Sequence, residues 1–189
     1  TRIPAHRLVL ATGAWTGRLE GLPIPLPVSP VRGQMLAFDA PERLPRRVVE
    51  TESVYLVPRG DGRLLAGATV EDAGFEGTLT ASARLKLREA AVEALPELAR
   101  APVLDQWCGL RPGTPDGNPI LGPLPGLPEV VVASGHFRNG ILLAPWTGAA
   151  LARLLTGGEG PELPAAFLPD RFLDRGIASG APASHRVST

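Results

Sequence analysis

Two arginines stand where a positive charge could do chemistry. Arg111 lies in GLRPGTPDGNPILG, residues Gly109–Gly122, directly after the apolar run Trp107–Cys108–Gly109–Leu110. A cation set among apolar residues needs an anionic partner, because burying it alone is very costly. A planar guanidinium engages a carboxylate through two parallel hydrogen bonds, so Arg111 is a candidate carboxylate clamp. Arg138 lies in His-Phe-Arg-Asn-Gly, between the strand-like run VVVASG and the helix-like run ILLAPWTGAALARLL. Gly140, just ahead of the helical run, suits a turn whose backbone N–H groups face an anion or a polar ring edge. Each arginine also has a plainer reading. A loop arginine is more often a surface charge or a structural ion pair, and one beside a helix start can satisfy loop carbonyls.

The remaining chemistry-bearing residues point less sharply. Tyr55 is the only tyrosine and sits in an apolar strand; its plain reading is a half-buried aromatic with the hydroxyl at the rim. His136, alone beside Phe137, reads as structural rather than catalytic. Three scattered histidines and one cysteine give neither metal-ligand spacing nor an intrachain disulfide. Cys108, between Trp107 and Gly109, reads as a buried inert thiol. Arg59, Asp61 and Arg63 read as hairpin-tip charges, and Glu71–Asp72 as a solvated pair with no partner carboxylate for acid–base work. No catalytic acid or base stands out.

Composition narrows the class. The 189 residues are 44% apolar with zero formal net charge. That suits one or two domains with a real core and argues against nucleic-acid partners or an anionic membrane surface. No apolar run approaches the roughly 20 residues needed to span a bilayer, and no signal-peptide pattern opens the chain, so the expected location is cytoplasmic. Of 19 basic residues only Lys86 is lysine, a compositional bias rather than a site.

The elements that must position these residues follow from periodicity and punctuation. Leu8–Ala11 reads as a short buried strand, with no nearby segment to pair with, which implies a chain that begins inside a larger fold. Gly21–Pro30, with four prolines, is an extended connector. Val31–Phe38 reads as a strand and Leu44–Glu50 as a polar link. Ser53–Arg59 and Arg63–Thr69 form a hairpin across Gly60–Asp61–Gly62. Thr78–Thr80 caps a helix over Ser82–Leu95, with Leu85, Ala91, Val92 and Leu95 as its apolar positions and Pro96 closing it. Val103–Trp107 is a strand entering the Arg111 loop, since Pro and Gly argue against a plain strand there. Pro119–Gly122 and Val130–Ala133 are strands around the turn Pro125–Gly126. Ile141–Leu155 is a helix ended by Gly157–Gly158. From Gly160 on, a tail docks through Phe167 and Phe172 and then becomes disordered. Trp107, Leu110, Ile141, Leu142, Ala149 and Leu155 are expected to be buried.

Five segments in order carry a resemblance: LVLATGAWTG, VRGQMLAF, VYLVPRGDGRLLAGAT, WCGLRPGTPDGNPILG and SGHFRNGILLAPWTGAAL. Together they resemble the C-terminal half of FAD-dependent oxidoreductases of the D-amino-acid oxidase superfamily, nearest to the glycine oxidases of thiamine biosynthesis. The likeness covers about residues 7–158. The family's GxGxxG strand–turn–helix, which grips the ADP part of FAD, has no counterpart: Gly13–Gly17 and Gly157–Gly160 lack that spacing.

The resemblance implies an α+β fold. A mixed, mainly antiparallel substrate-binding sheet with helices would occupy residues 23–122. Residues 1–22 and 123–160 would be parts of a Rossmann-like FAD-binding domain, and residues 161–189 a partly disordered tail. It implies that Arg111, with Tyr55 and Arg138, binds the substrate carboxylate. It implies further that Gly13, Ala14 and Trp15, with His136, Phe137, Arg138, Asn139, Gly140, Ile141 and Leu142, approach the FAD flavin. Flavin attachment through a cysteine, found near this position in sarcosine-oxidase-like relatives, is weighed against the inert reading of Cys108, which is preferred. The implied chemistry is hydride transfer from a small amino acid or amine to flavin N5, with O2 reduced to H2O2. The expected partners are that substrate, O2, and either a second copy of the chain or a missing N-terminal half. Two other readings stand beside it: a non-catalytic remnant or a subunit needing a partner for the dinucleotide site, and a D-amino-acid dehydrogenase using an acceptor other than oxygen.

Overall fold

The computed structural model describes residues 2–39 and 45–173. Its strands are β1 (Leu8–Leu10), β2 (Ser29–Asp39), β3 (Val49–Glu50), β4 (Tyr55–Pro58), β5 (Arg63–Gly67), β6 (Val103–Gly113), β7 (Ile120–Leu124) and β8 (Leu127–Ser134). Its longer helices are α1 (Ala81–Ala94) and α2 (Gly140–Thr156). The chain divides into two units, one of residues 1–31 with 111–189 and one of residues 32–110.

The 32–110 unit is built on a five-stranded sheet ordered β3-β4-β5-β2-β6, in which β2 with β5, β4 with β5 and β3 with β4 are antiparallel. The β4–β5 hairpin turns at the expected Gly60–Asp61–Gly62, where Gly62 takes φ +86°. One sheet face carries Leu36, Phe38, Leu56, Leu64 and Ala66 into a core with Leu87 and Ala91 of α1 and with Leu98. Strand residues two apart share a face, so even-numbered positions of all three strands fill this core. The cap of α1 is Thr80, whose hydroxyl accepts from the Ala83 N–H, as expected for a helix N-cap. The buried stripe of α1 is Ala83, Leu87 and Ala91, four residues apart. Leu85, expected on that face, is exposed, because it falls half a turn away.

Three sequence expectations change on or beside this sheet. Arg111 is not in a loop: it lies in β6, which runs on through Pro112 to Gly113. β6 is the last strand in the order, and an edge strand tolerates a proline that cannot donate to the ladder. Glu71 is not a solvated charge. It accepts from Arg32 Nη2 at 2.6 Å, from Gln34 Nε2 and from the Thr69 hydroxyl. The Leu44–Glu50 link ends in β3; its first residue lies outside the described residues.

The other unit is built on a three-stranded sheet ordered β1-β8-β7. The strand read as partnerless has a partner from the far end of the chain: Leu8, Val9 and Leu10 pair in parallel with Val130, Val131 and Val132. It is not buried either, since Leu8 and Val9 are exposed at the sheet edge. β7 and β8 form the expected hairpin over Pro125–Gly126. Ile120, Leu124, Val130 and Val132 pack with Leu26, Val28 and Phe172, so Phe172 does dock the tail, and Phe167 stands edge-on to Trp146 at 6.0 Å. The tail beyond residue 173 lies outside the described residues. α2 ends with Gly157 in the left-handed conformation, which glycine adopts without the Cβ penalty. Arg171 clamps Asp116 through Nε and Nη2.

The burial expected for α2 is corrected. Its buried residues are Thr147, Ala150 and Leu151. Ile141 is 95% and Leu142 78% exposed, Ala149 is exposed, and Leu155 is half-buried, as are Trp107 and Leu110 in β6. Apolar character marked the helix, but the inward stripe is set by the packing partners, β7 among them.

Both clamped carboxylates sit below their usual range. Burial pushes Glu71 up, but hydrogen bonds from Thr69, Arg32 and Gln34 and the Arg32 charge outweigh it. Burial likewise raises Asp116, and bonds from Arg171 and the Asn118 N–H overcome that. A depressed folded value means that the stabilisation is complete above the ordinary carboxylate range and is lost as pH falls through the folded value. Thermal unfolding between neutral pH and pH ~3 should therefore show a steep acid loss. Glu71→Gln and Asp116→Asn should each be less stable at neutral pH and each flatten that slope. An unchanged slope in both variants would contradict the assignment.

Candidate functional site

In the 32–110 unit the candidate is Tyr55, on the sheet face opposite the core. The register places it directly across from Gly67, and Gly67 directly across from Met35. Tyr55 is half-buried, and its hydroxyl donates to Met35 Sδ at 3.8 Å. Gly67 is required by closeness rather than by backbone conformation: a Cβ there would come within 2.7 Å of Tyr55 Cζ and Oη. Cys108, expected to be buried, is half-buried, and its Sγ–H donates to the Gly77 carbonyl at 3.0 Å. A cleft of about 580 Å³ runs along α1, lined by Lys86, Glu89 and Glu93 among others. None of the residues singled out for substrate or cofactor lines it.

In the other unit the chain's beginning is tied to the end of β8. The segment Gly13–Arg18 is a short 3-10 helix. Within it Thr16, fully buried, shares a 2.7 Å hydrogen bond with Ser134, the last residue of β8. Ser134 Oγ lies 3.1 Å and Thr16 Oγ1 2.8 Å from the Gly13 carbonyl; each hydroxyl has one proton, so one of them donates to that carbonyl and the other donates to its fellow hydroxyl. Thr12 joins the group through Thr16 at 2.9 Å. Gly13, Ala14 and Trp15 are thereby held against the strand that feeds His136–Leu142. Ala14 is buried and Trp15 exposed.

The turn after β8 is irregular in the way binding turns often are. Gly135 has φ +78°, and a Cβ there would come 2.7 Å from Thr114 Cγ2. Phe137 has φ +48°, uncommon for a bulky residue. Phe137–Asn139 forms a 3-10 turn leading into α2, and neither His136 nor Asn139 supplies a side-chain cap. His136 Nε2 pairs with the Thr147 hydroxyl at 3.0 Å, and burial holds the imidazole below its ordinary value. Arg138 and Asn139 are exposed, Gly140 half-buried. Arg111, at the end of β6, is half-buried.

Sequence reading missed Thr16, Ser134, Met35, Gly67 and Thr147. Each matters through a contact made across the fold, for which the only local signals were a glycine ending a strand and hydroxyls beside glycine turns. Among the described residues there is no group of His, Cys, Asp and Glu able to hold a metal ion, and no helix is long and apolar enough to cross a membrane.

Residues 1–154 match the FAD dependent oxidoreductase (DAO) family, and the chain belongs to it. Within that family it is similar to the glycine oxidase of Pseudomonas putida, 44% identical over 169 residues that make up 89% of this chain and 46% of that one. It is also similar to the bifunctional protein ThiO/ThiG of Trichormus variabilis, 41% identical over 174 residues, 90% of this chain and 26% of that one. The crystal structure of glycine oxidase from Geobacillus kaustophilus superposes with a TM-score of 0.82 at 37% identity, over 92% of this chain and 46% of that one. The chain thus spans about half the length, or less, of the relatives it matches.

The hydroxyl group at the chain's beginning is open to a direct test. Ser134→Ala should cost about 1–3 kcal/mol, because it takes a buried hydroxyl out of this group and leaves Thr16 without that partner. Thr16→Val should cost a similar amount, and the double variant clearly less than the sum. Strictly additive losses in denaturant unfolding would contradict the coupling.

Proposed function

We propose that this chain carries the substrate-binding and flavin-facing residues of an FAD-dependent oxidase acting on small amino acids or amines, of the glycine oxidase type. Family membership over residues 1–154 carries this reading. Residues 23–122 would serve the substrate, and residues 1–22 and 123–160 the flavin. Bound FAD would supply the electron sink, taking a hydride from the substrate α-carbon and passing electrons to O2 to give H2O2.

The residues present fit that group. The start of α2 lacks a side-chain cap, which leaves its amide dipoles available to a polar ring edge or to the negative charge of a reduced ring. Beside them Ile141 and Leu142 offer exposed apolar surface suited to a planar ring. His136, whose imidazole burial pushes below its ordinary value, is held beside them by the Thr147 hydroxyl. The sequence contains no GxGxxG turn, so in this reading the ADP part of FAD is held by residues outside it.

The substrate side rests on charge and shape. Arg111 would fork onto the α-carboxylate, the Tyr55 hydroxyl would donate to it, and Arg138 would add positive charge near flavin and carboxylate. With no acid or base among these residues, their work is orientation and charge placement. The half-buried Cys108, engaged with Gly77, keeps its inert role.

In the flavin-bearing protein, Arg111→Ala should lower kcat/KM for glycine by tens to hundreds of fold, since losing a bidentate carboxylate partner costs about 2–4 kcal/mol. Arg111→Lys should recover only part, because a point charge cannot reproduce the fork. Steady-state kinetics with peroxide detection check both. Unchanged kinetics in Arg111→Ala would remove it from the site, and turnover without peroxide would favour a dehydrogenase.

A further inference from the structure

Met35, the chain's single methionine, has no part in the reading above. It stands on β2, two strands away from Tyr55 on β4, with Gly67 of β5 between them at the same register. Neighbouring strands lie about 4.8 Å apart, so a side chain on the middle strand would ordinarily separate the two. Gly67 has none. Tyr55 and Met35 close over it instead: a Cβ at Gly67 would lie 2.7 Å from the Tyr55 ring and hydroxyl and 2.8 Å from Met35 Cε. The result is the 3.8 Å contact from the Tyr55 hydroxyl to Met35 Sδ.

A phenol has one proton to donate. A carboxylate only accepts, so a substrate carboxylate bound to Tyr55 must take that same proton. Thioether sulfur is a weak acceptor, whereas a charge-assisted bond to a carboxylate is roughly twice as strong as a neutral one. We propose that Met35 is a positioning residue: its sulfur parks the Tyr55 hydroxyl in the absence of substrate and yields it when a carboxylate arrives. This rests on Tyr55 being a substrate contact. The choice of sulfur is what matters. A stronger acceptor at position 35 would hold the proton against the substrate, and none at all would leave the hydroxyl without a fixed direction.

The test compares Met35→Leu and Met35→Gln in the flavin-bearing protein, with glycine as substrate and peroxide as readout. Leucine conserves volume and is well tolerated in place of methionine; glutamine has similar length and a strong carbonyl acceptor. Met35→Gln should raise KM about tenfold, the worth of one displaced hydrogen bond, and Met35→Leu a few-fold, with kcat near that of the unaltered protein in both. In a Tyr55→Phe background both effects should vanish, which a merely structural role for Met35 would not produce. KM unchanged in both variants, or effects that persist in Tyr55→Phe, would overturn the proposal. If Met35→Gln does not fold, Met35→Leu and its Tyr55→Phe double variant decide it alone. A protein inactive on every amino acid before any substitution would instead overturn the function proposed above.

Discussion

The shared hydrogen bond between Thr16 and Ser134 joins residues 118 apart, and the arrangement around the β8 turn depends on it. β1 reaches its partner only by pairing with a strand from the far end of the chain, and such non-local pairing is entropically expensive. Three parallel pairs at an exposed edge are a slender anchor. The buried hydroxyls add directional bonds at the place where β8 gives way to the turn. One of them donates to the Gly13 carbonyl and the other to its fellow hydroxyl, so the Gly13–Arg18 turn and the end of β8 are fixed as one piece. A buried polar group left unpaired is costly, which makes this cluster strongly selective for one arrangement.

The 32–110 unit solves a different problem with the same economy of side chains. Its sheet has a dry face, filled by Leu36, Phe38, Leu56, Leu64 and Ala66 against α1, and a second face that carries Tyr55. The segment between β5 and α1 has little regular structure, yet it is strapped down. Glu71 gathers Arg32, Gln34 and Thr69, while Gln34 also accepts from the Thr80 N–H at the start of α1. Gln106 closes the group by donating to Gln34 Oε1 and the Thr80 carbonyl. Polar side chains do here what strand pairing does elsewhere, and removing any one would leave several partners short.

What was legible in the sequence was local. Gly60–Asp61–Gly62, Pro125–Gly126, Thr80 and Gly157 each act through the backbone of their own turn, and each sits where the residue type predicts. The family motifs were legible as well, since they are contiguous. What could not be read was decided across the fold. Arg111 lies in a strand because β6 is an edge, and nothing in RPG says which strand will be last. Ile141 and Leu142 are apolar yet exposed, because a helix's inward stripe is chosen by its neighbours. Glu71 looked like a surface charge until Arg32, 39 residues away, was seen to hold it. Met35 and Gly67 gained meaning only from register.

In the role proposed for it, this chain presents a small amino acid, by its carboxylate, to a bound flavin. The direct measurement is anaerobic mixing of the flavin-bearing protein with glycine while the oxidised flavin absorbance is followed. Rapid, saturable bleaching with glycine, together with no bleaching by methylamine, which lacks the carboxylate, is the predicted result. A flavin that stays oxidised with glycine and with every other small amino acid, or one bleached equally well by methylamine, would contradict it.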